Sequence, residues 1–280
     1  MREIQKVGVG QIAYLLIGAI IMIAVPVVIG IFWTVKKKEK FTTVLVGAGT
    51  FLLFALILEK PIQNVLLFPA VMGLPEHPVS SAINARPLLL AFLAGLFPGV
   101  FEETGRFAAF KTVLKKRKNR ETSISYGIGH GGIEVVLIPG LSYITYLMYA
   151  LMINTGTFDT VIQQAIEQVP DRVDALYTLA DQIATYSFGN LLISIVERIF
   201  AVLYHIGASV LVFYACKDNR KLWLYPLAIL LHTLLDFLAA LYSFGQISLS
   251  QWALEGVVGV FGILTFFGAF LLLYKKDNTP

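Results

Sequence analysis

Apolar residues run along this chain in seven long stretches, about 9–33, 41–59, 87–110, 122–150, 188–215, 222–243 and 251–274, with short polar segments between them. Each approaches or exceeds the ~20 residues that a helix needs to cross a bilayer. The pattern predicts an all-α, polytopic membrane helical bundle of about seven transmembrane helices. It reads as a single integral-membrane domain over residues 1–280, with its polar-bearing core helices at about 87–243. Two shorter segments stand apart. Residues from Phe158 to Ala184 form an amphipathic outer helix with Val161, Ile162, Ala165, Ile166 and Val169 on one side, interrupted at Pro170. Residues from Pro61 to Met72 are apolar but too short to span, and suit an extra re-entrant or surface helix. Ile138, Pro139 and Gly140 mark a break inside the fourth stretch.

Composition agrees with a membrane class: 57% of residues are hydrophobic and only 14% charged, where a soluble domain carries roughly 25% charged residues. The first stretch is longer than a signal-peptide core of ~7–15 residues and reads as a retained span. The single cysteine, Cys216, excludes an internal disulfide and a multi-cysteine metal site. A net charge of +4 raises the question of nucleic acid. The distribution answers it, because 15 of the 22 Lys and Arg fall in four clusters: Lys36 to Lys40, Lys111 to Arg120, Lys217 to Lys221, and Lys275 with Lys276. These occupy every second loop, as the positive-inside rule requires. The segment from Asn154 to Ser187 instead holds Asp159, Glu167, Asp171, Asp174 and Asp181 against Arg172. The basic balance is a topology signal, with the N-terminus outside and the C-terminus in the cytoplasm of a cell membrane, and no nucleic-acid partner.

Three of the four histidines, His130, His205 and His232, lie within the apolar stretches, and the pair Glu102 and Glu103 lies near the end of another. Each ionisable group at membrane depth is unfavourable by at least ~2.5–3.5 kcal/mol, so each asks for a function. Depth can be counted from the basic clusters at ~1.5 Å per residue. Glu103 then lies roughly 12 Å in from Lys111, His130 roughly 15 Å from Arg120, His205 roughly 18 Å from Lys217 and His232 roughly 16–17 Å from Lys221. Half of a hydrocarbon core is ~15 Å, so four separate spans place their groups in one layer. Positions three or four apart share a helix face. Arg106 therefore lies under Glu102 and Glu103, Glu134 beside His130 and Asp236 beside His232. The carboxylates Glu134 and Asp236 are placed to orient those imidazoles. Gly127, Gly129, Gly131 and Gly132 let neighbouring backbones approach His130.

Such groups suit activation of a water molecule: a carboxylate takes the proton, a histidine shares it, and a further histidine serves an oxyanion. Ser209 lies on the His205 face but has no nucleophile-elbow context, which speaks against covalent catalysis.

These residues resemble the CAAX-protease and bacteriocin-processing superfamily of intramembrane proteases, and look most like its bacterial YhfC branch. The likeness lies in Phe101-Glu102-Glu103-Thr104-Gly105-Arg106, in Gly127-Ile128-Gly129-His130-Gly131-Gly132-Ile133-Glu134 and in His232-Thr233-Leu234-Leu235-Asp236, and covers about residues 95 to 240. The resemblance implies an endopeptidase that hydrolyses a peptide bond of a membrane-embedded or lipid-anchored protein or peptide at mid-membrane depth. It implies Glu102 or Glu103 as the general base, Arg106 bracing the pair, His130 sharing the water, and His232 backed by Asp236 at the oxyanion. His205 would line the same cavity. Two departures stand out: the arginine follows the acidic pair after two residues where the superfamily commonly has three, and the aromatic four before His130 is Tyr126 instead of Phe. They leave the choice between the two glutamates open. The superfamily has been described both as metal-dependent and as glutamate-type. Pairing of the acids with Arg106 favours the metal-free form, and no His-Glu-x-x-His pair occurs. Were zinc present, Glu103, His130 and His232 are the candidate ligands.

Competing readings are a polytopic transporter, a haem-binding protein with two axial histidines, and a non-catalytic scaffold. A carrier usually shows paired broken helices, and the Pro139 break has no counterpart in a second half. For His205 a structural hydrogen bond between helices is an equal alternative. His77 reads as an ordinary exposed loop residue, Glu197 and Arg198 as a salt-bridging pair, and Glu255 as an interfacial group without special role.

Overall fold

A computed structural model describes residues 2–277, and among them there is no strand. Seven helices are long and apolar enough to cross a membrane: Val9–Lys37, Phe41–Leu67, Pro87–Lys111, Glu121–Thr155, Phe188–Lys217, Asn219–Ser243 and Gln251–Tyr274. The chain is thus a polytopic all-α membrane protein. Outward positions on the spans are themselves apolar: Ile20, Val28, Phe32, Ile57, Val260 and Leu264 are all more than half exposed. Such a surface suits lipid as the solvent, which neither rewards nor penalises apolar contact.

Two features expected from the sequence, the separate Pro61–Met72 segment and the break at Pro139, take a milder form. The second span continues beyond residue 59 to Leu67, so Pro61 does not open a separate segment. A π-helical stretch, Leu52–Glu59, precedes it. The wider π register re-spaces the backbone bonds around the missing proline N–H, as broken membrane helices do. Only Pro69–Met72, a single 3-10 turn, lies outside the span. Likewise Pro139 sits inside a π-helical stretch, Val136–Gly140, within a span that runs on to Thr155. His77, expected to be merely exposed, caps the short helix Pro78–Asn84. Its Nδ1 accepts from the Ser80 backbone N–H at 3.2 Å, so its Nε2–H donates to the Val65 carbonyl at 2.8 Å.

The described chain forms two compact units, residues 2–26 with 135–196, and residues 27–134 with 197–277. In the first, the expected outer helix appears as Phe158–Gln168 and Val173–Ala184, separated at Pro170. Its buried stripe is Phe158, Ile162 and Ala165, whereas Ile166 and Val169 are exposed, which moves the covered face by one position from the sequence reading. Asn154 clamps the Val7 backbone with two bonds of 2.8 Å.

The second unit contains every candidate catalytic residue. Its packing turns on glycines. A Cβ on Gly95 would lie 2.5 Å from the Phe237 nitrogen, and one on Gly99 would meet Thr233 and Ile229. The third and sixth spans therefore touch backbone to backbone along a small-xxx-small stripe. Gly127 does the same for the fourth and fifth spans at the Ile206 backbone, and Gly131 leaves room for the His205 side chain, which would lie 3.1 Å from an added Cβ.

Candidate active site

Glu103 stands one further step of four residues along the Gly95 and Gly99 face, so the close approach of the third and sixth spans delivers its carboxylate to His232. The His232 Nδ1 lies 2.8 Å from Glu103 Oε1. The glycine contacts of the fourth and fifth spans similarly bring the His130 and His205 rings to 5.2 Å between centroids. His205 and His232 are 5.5 Å apart. One layer of three imidazoles results, with the acidic pair beside it.

Arg106 holds this layer together from a fully buried position. One guanidinium nitrogen donates to Glu103 Oε1. The other lies 2.5 Å from His205 Nδ1 and 3.9 Å from Glu102 Oε2. A guanidinium only donates, so His205 Nδ1 must accept and its proton sits on Nε2. That Nε2 faces Glu134 Oε2 at 2.5 Å, and Glu134 Oε1 accepts from Arg198 at 3.0 Å. Arg198 also pairs with Glu197. Glu134 is thus the partner of His205, not of His130 as helical spacing suggested. His130 instead contacts the first glutamate, Nε2 to Glu102 Oε2 at 2.8 Å. Asp236 does lie behind His232, at 3.5 Å from Nε2, the outer limit of a hydrogen bond.

A cavity of about 150 Å³, room for roughly five waters, is lined by Glu102, Glu134, Arg198, His205, His232 and Asp236 among others. Glu103 and Arg106 do not line it, and both are completely buried. The two neighbouring glutamates therefore differ in position: Glu102 lines the cavity and Glu103 is buried against Arg106 and His232. Ser209 spends its hydroxyl on the His205 carbonyl at 2.7 Å. Two lining residues, Tyr204 and Glu255, carried no functional weight in the sequence. Glu255 lies only four residues into its span, which hid its burial, and Tyr204 had no signal beyond adjacency to His205.

Whether these residues suit a metal can be tested on their donors. Among the described residues, Glu102, His130 and His205 offer ligand atoms within 4.8 Å of one another, and all three are buried. Two imidazoles and a carboxylate form the donor set of catalytic zinc sites that keep a position open. The His130 Nδ1 is buried without a hydrogen-bond partner. The set fits. It differs from the expected Glu103, His130 and His232, because Glu103 and His232 are committed to each other and to Arg106.

A family model described as YhfC intramembrane metalloprotease matches residues 21–258. The chain is 30% identical over 254 residues to the uncharacterized membrane protein YhfC of Bacillus subtilis (strain 168), covering 91% of this chain and 93% of that one. No solved structure matches. The family description supports a peptidase and speaks for a metal, so the expected preference for a metal-free mechanism finds no support in it.

Proposed function

The chain belongs to the YhfC intramembrane metalloprotease family, and on that footing we propose that it is an endopeptidase whose water-activating carboxylate is Glu102. The observation that carries this reading is the split of the acidic pair, with Glu102 on the cavity wall and Glu103 sealed behind it. The substrate is a peptide bond of a membrane-embedded or lipid-anchored protein, which reaches the cavity at the layer of the three histidines.

Zinc, if bound by Glu102, His130 and His205, would supply Lewis acidity toward the scissile carbonyl and would take Glu102 as a ligand; without it Glu102 is free to act as the base. The chain's own groups account for the proton movements. Glu102 Oε2 carries the His130 contact, leaving Oε1 for a water in the cavity. Glu102 takes a proton from that water as its oxygen attacks the peptide carbon, and returns it to the amide nitrogen as the C–N bond breaks. His232 gives its Nδ1–H to Glu103, so it serves the developing oxyanion only as an imidazolium, through an Nε2–H that lies beside Asp236. Arg106 positions the whole: it holds Glu103 for His232 and fixes the His205 tautomer. One contact favours a second, metal-free reading, the Arg106 guanidinium on His205 Nδ1, which puts a cation against one of the three donors. The orientation we assign puts the N-terminus outside and the basic loops in the cytoplasm.

The test is a comparison of membrane-protein termini in cells carrying wild type or Glu102→Gln. A general base contributes about 10²–10⁴-fold, so wild-type-specific termini should vanish in the variant while the purified protein unfolds at the wild-type temperature. Identical termini in both would remove Glu102 from the mechanism.

A further inference from the structure

The far side of the same cavity has an imbalance of charge that hydrolysis leaves unused. Glu134, Glu197 and Glu255 all line it, with Arg198 as the guanidinium among them. Arg198 is already engaged twice, by Glu134 at 3.0 Å and by Glu197. Glu255 is the carboxylate outside those two pairs, three carboxylates facing one guanidinium whose Nε is itself buried without a hydrogen-bond partner. Glu255 is 6% exposed, and its Oε2 is buried without a hydrogen-bond partner. A buried, unbonded carboxylate oxygen on a cavity wall with two more carboxylates than guanidinium groups favours a cationic ligand. Two further carboxylates on the same lining, Glu197 and Asp236, have side chains 35% and 34% exposed.

We infer that Glu255, with Glu197 beside it, forms a subsite for a cationic group, and that the proteolytic substrate presents a lysine or arginine side chain there. The inference rests on the peptidase reading only for the identity of the ligand as a substrate residue; the cation site itself stands on the carboxylate geometry. An ammonium or guanidinium supplies the donors that Glu255 Oε2 lacks and brings the missing positive charge to three carboxylates that share Arg198. An apolar side chain would leave Glu255 unsatisfied. Discrimination against it follows from the unpaired group, as at any site built around a polar ligand.

The experiment uses the full chain purified in detergent and two probes of equal shape, n-pentylguanidinium and the neutral n-pentylurea, with binding followed by thermal stabilisation. The cation should stabilise the wild type, and the urea should not. Glu255→Gln should weaken the cation's apparent affinity about tenfold or more, since a charge-assisted bond is lost, and Glu255→Met provides the same reading should the amide variant not fold. Equal stabilisation by both probes, or undiminished cation binding in a folded Glu255 variant, overturns the subsite. Because no hydrolysis is read, this result is independent of whether the protein cleaves peptides. Were termini lost in Glu102→Gln cells yet no cation bound, the protease reading would stand and the subsite would fall.

Discussion

Replacing Arg106 by methionine keeps most of the side-chain length and removes the guanidinium on which three buried groups depend. Glu103 loses its ion pair, His205 Nδ1 loses its donor at 2.5 Å, and Glu102 loses a cation at 3.9 Å. Removing one partner of a buried ion pair destabilises by about 3–5 kcal/mol, because the other charge stays buried alone. Against a total stability of about 5–15 kcal/mol, that is a large fraction. At a few degrees per kcal/mol for a chain of this size, the unfolding midpoint should drop by on the order of 10 °C. Arg106→Lys should fall between, since an ammonium cannot reach both Glu103 and His205 with a planar fork. The decisive measurement is a double-mutant cycle. Glu103→Gln removes the carboxylate charge that Arg106→Met strands, while its amide oxygen can still accept from His232. The double variant should be less damaged than the sum of the singles by at least about 1 kcal/mol. Thermal unfolding in detergent, followed by tryptophan fluorescence or by cysteine exposure at Cys216, gives all four corners. If Arg106→Met unfolds at the wild-type temperature, or if the two substitutions simply add, Arg106 is not the brace of this site.

Three further outcomes are expected. Elemental analysis of purified protein should find zinc in the wild type and lose it in His130→Ala and His205→Ala while keeping it in His232→Ala; loss in His130→Ala and His232→Ala with zinc kept in His205→Ala would restore the ligand set expected from the sequence. Gly95→Ala should destabilise by about 1–3 kcal/mol, because the new Cβ would meet backbone atoms of the sixth span, whereas Gly256→Ala, with no atom within 4 Å, should not; equal unfolding temperatures for the two would contradict backbone-to-backbone packing of the third and sixth spans. In a Cys216→Ser background, a cysteine at Lys118 should be blocked from impermeant reagents in intact cells and one at Gln182 should react; the reverse pattern would invert the topology.

The parts of this protein that were legible in its sequence are those that depend on one helix at a time. Span length follows from the need to satisfy every backbone bond inside hydrocarbon, and the seven stretches read from apolar runs recur in the fold with ends shifted mostly by a few residues. Depth follows from a fixed rise per residue, so Glu102, Glu103, His130, His205 and His232 could be placed in one layer before any packing was known. That layer is where the fold brings them together.

Partnership across helices was not legible. Spacing along one helix set Glu134 beside His130, but the carboxylate turns to His205 and Arg198 on the fifth span. It also left Glu102 and Glu103 equivalent, although adjacent residues on a helix point about 100° apart. Only the glycine contacts of the third span with the sixth decide that Glu103 meets His232 while Glu102 meets His130 and the cavity. Glu255 was passed over for the same reason, since its place near a span end says nothing of the wall it joins. A helix determines its own length, depth and faces through local geometry. Which face meets which is a property of pairs, settled by where small residues let two backbones close.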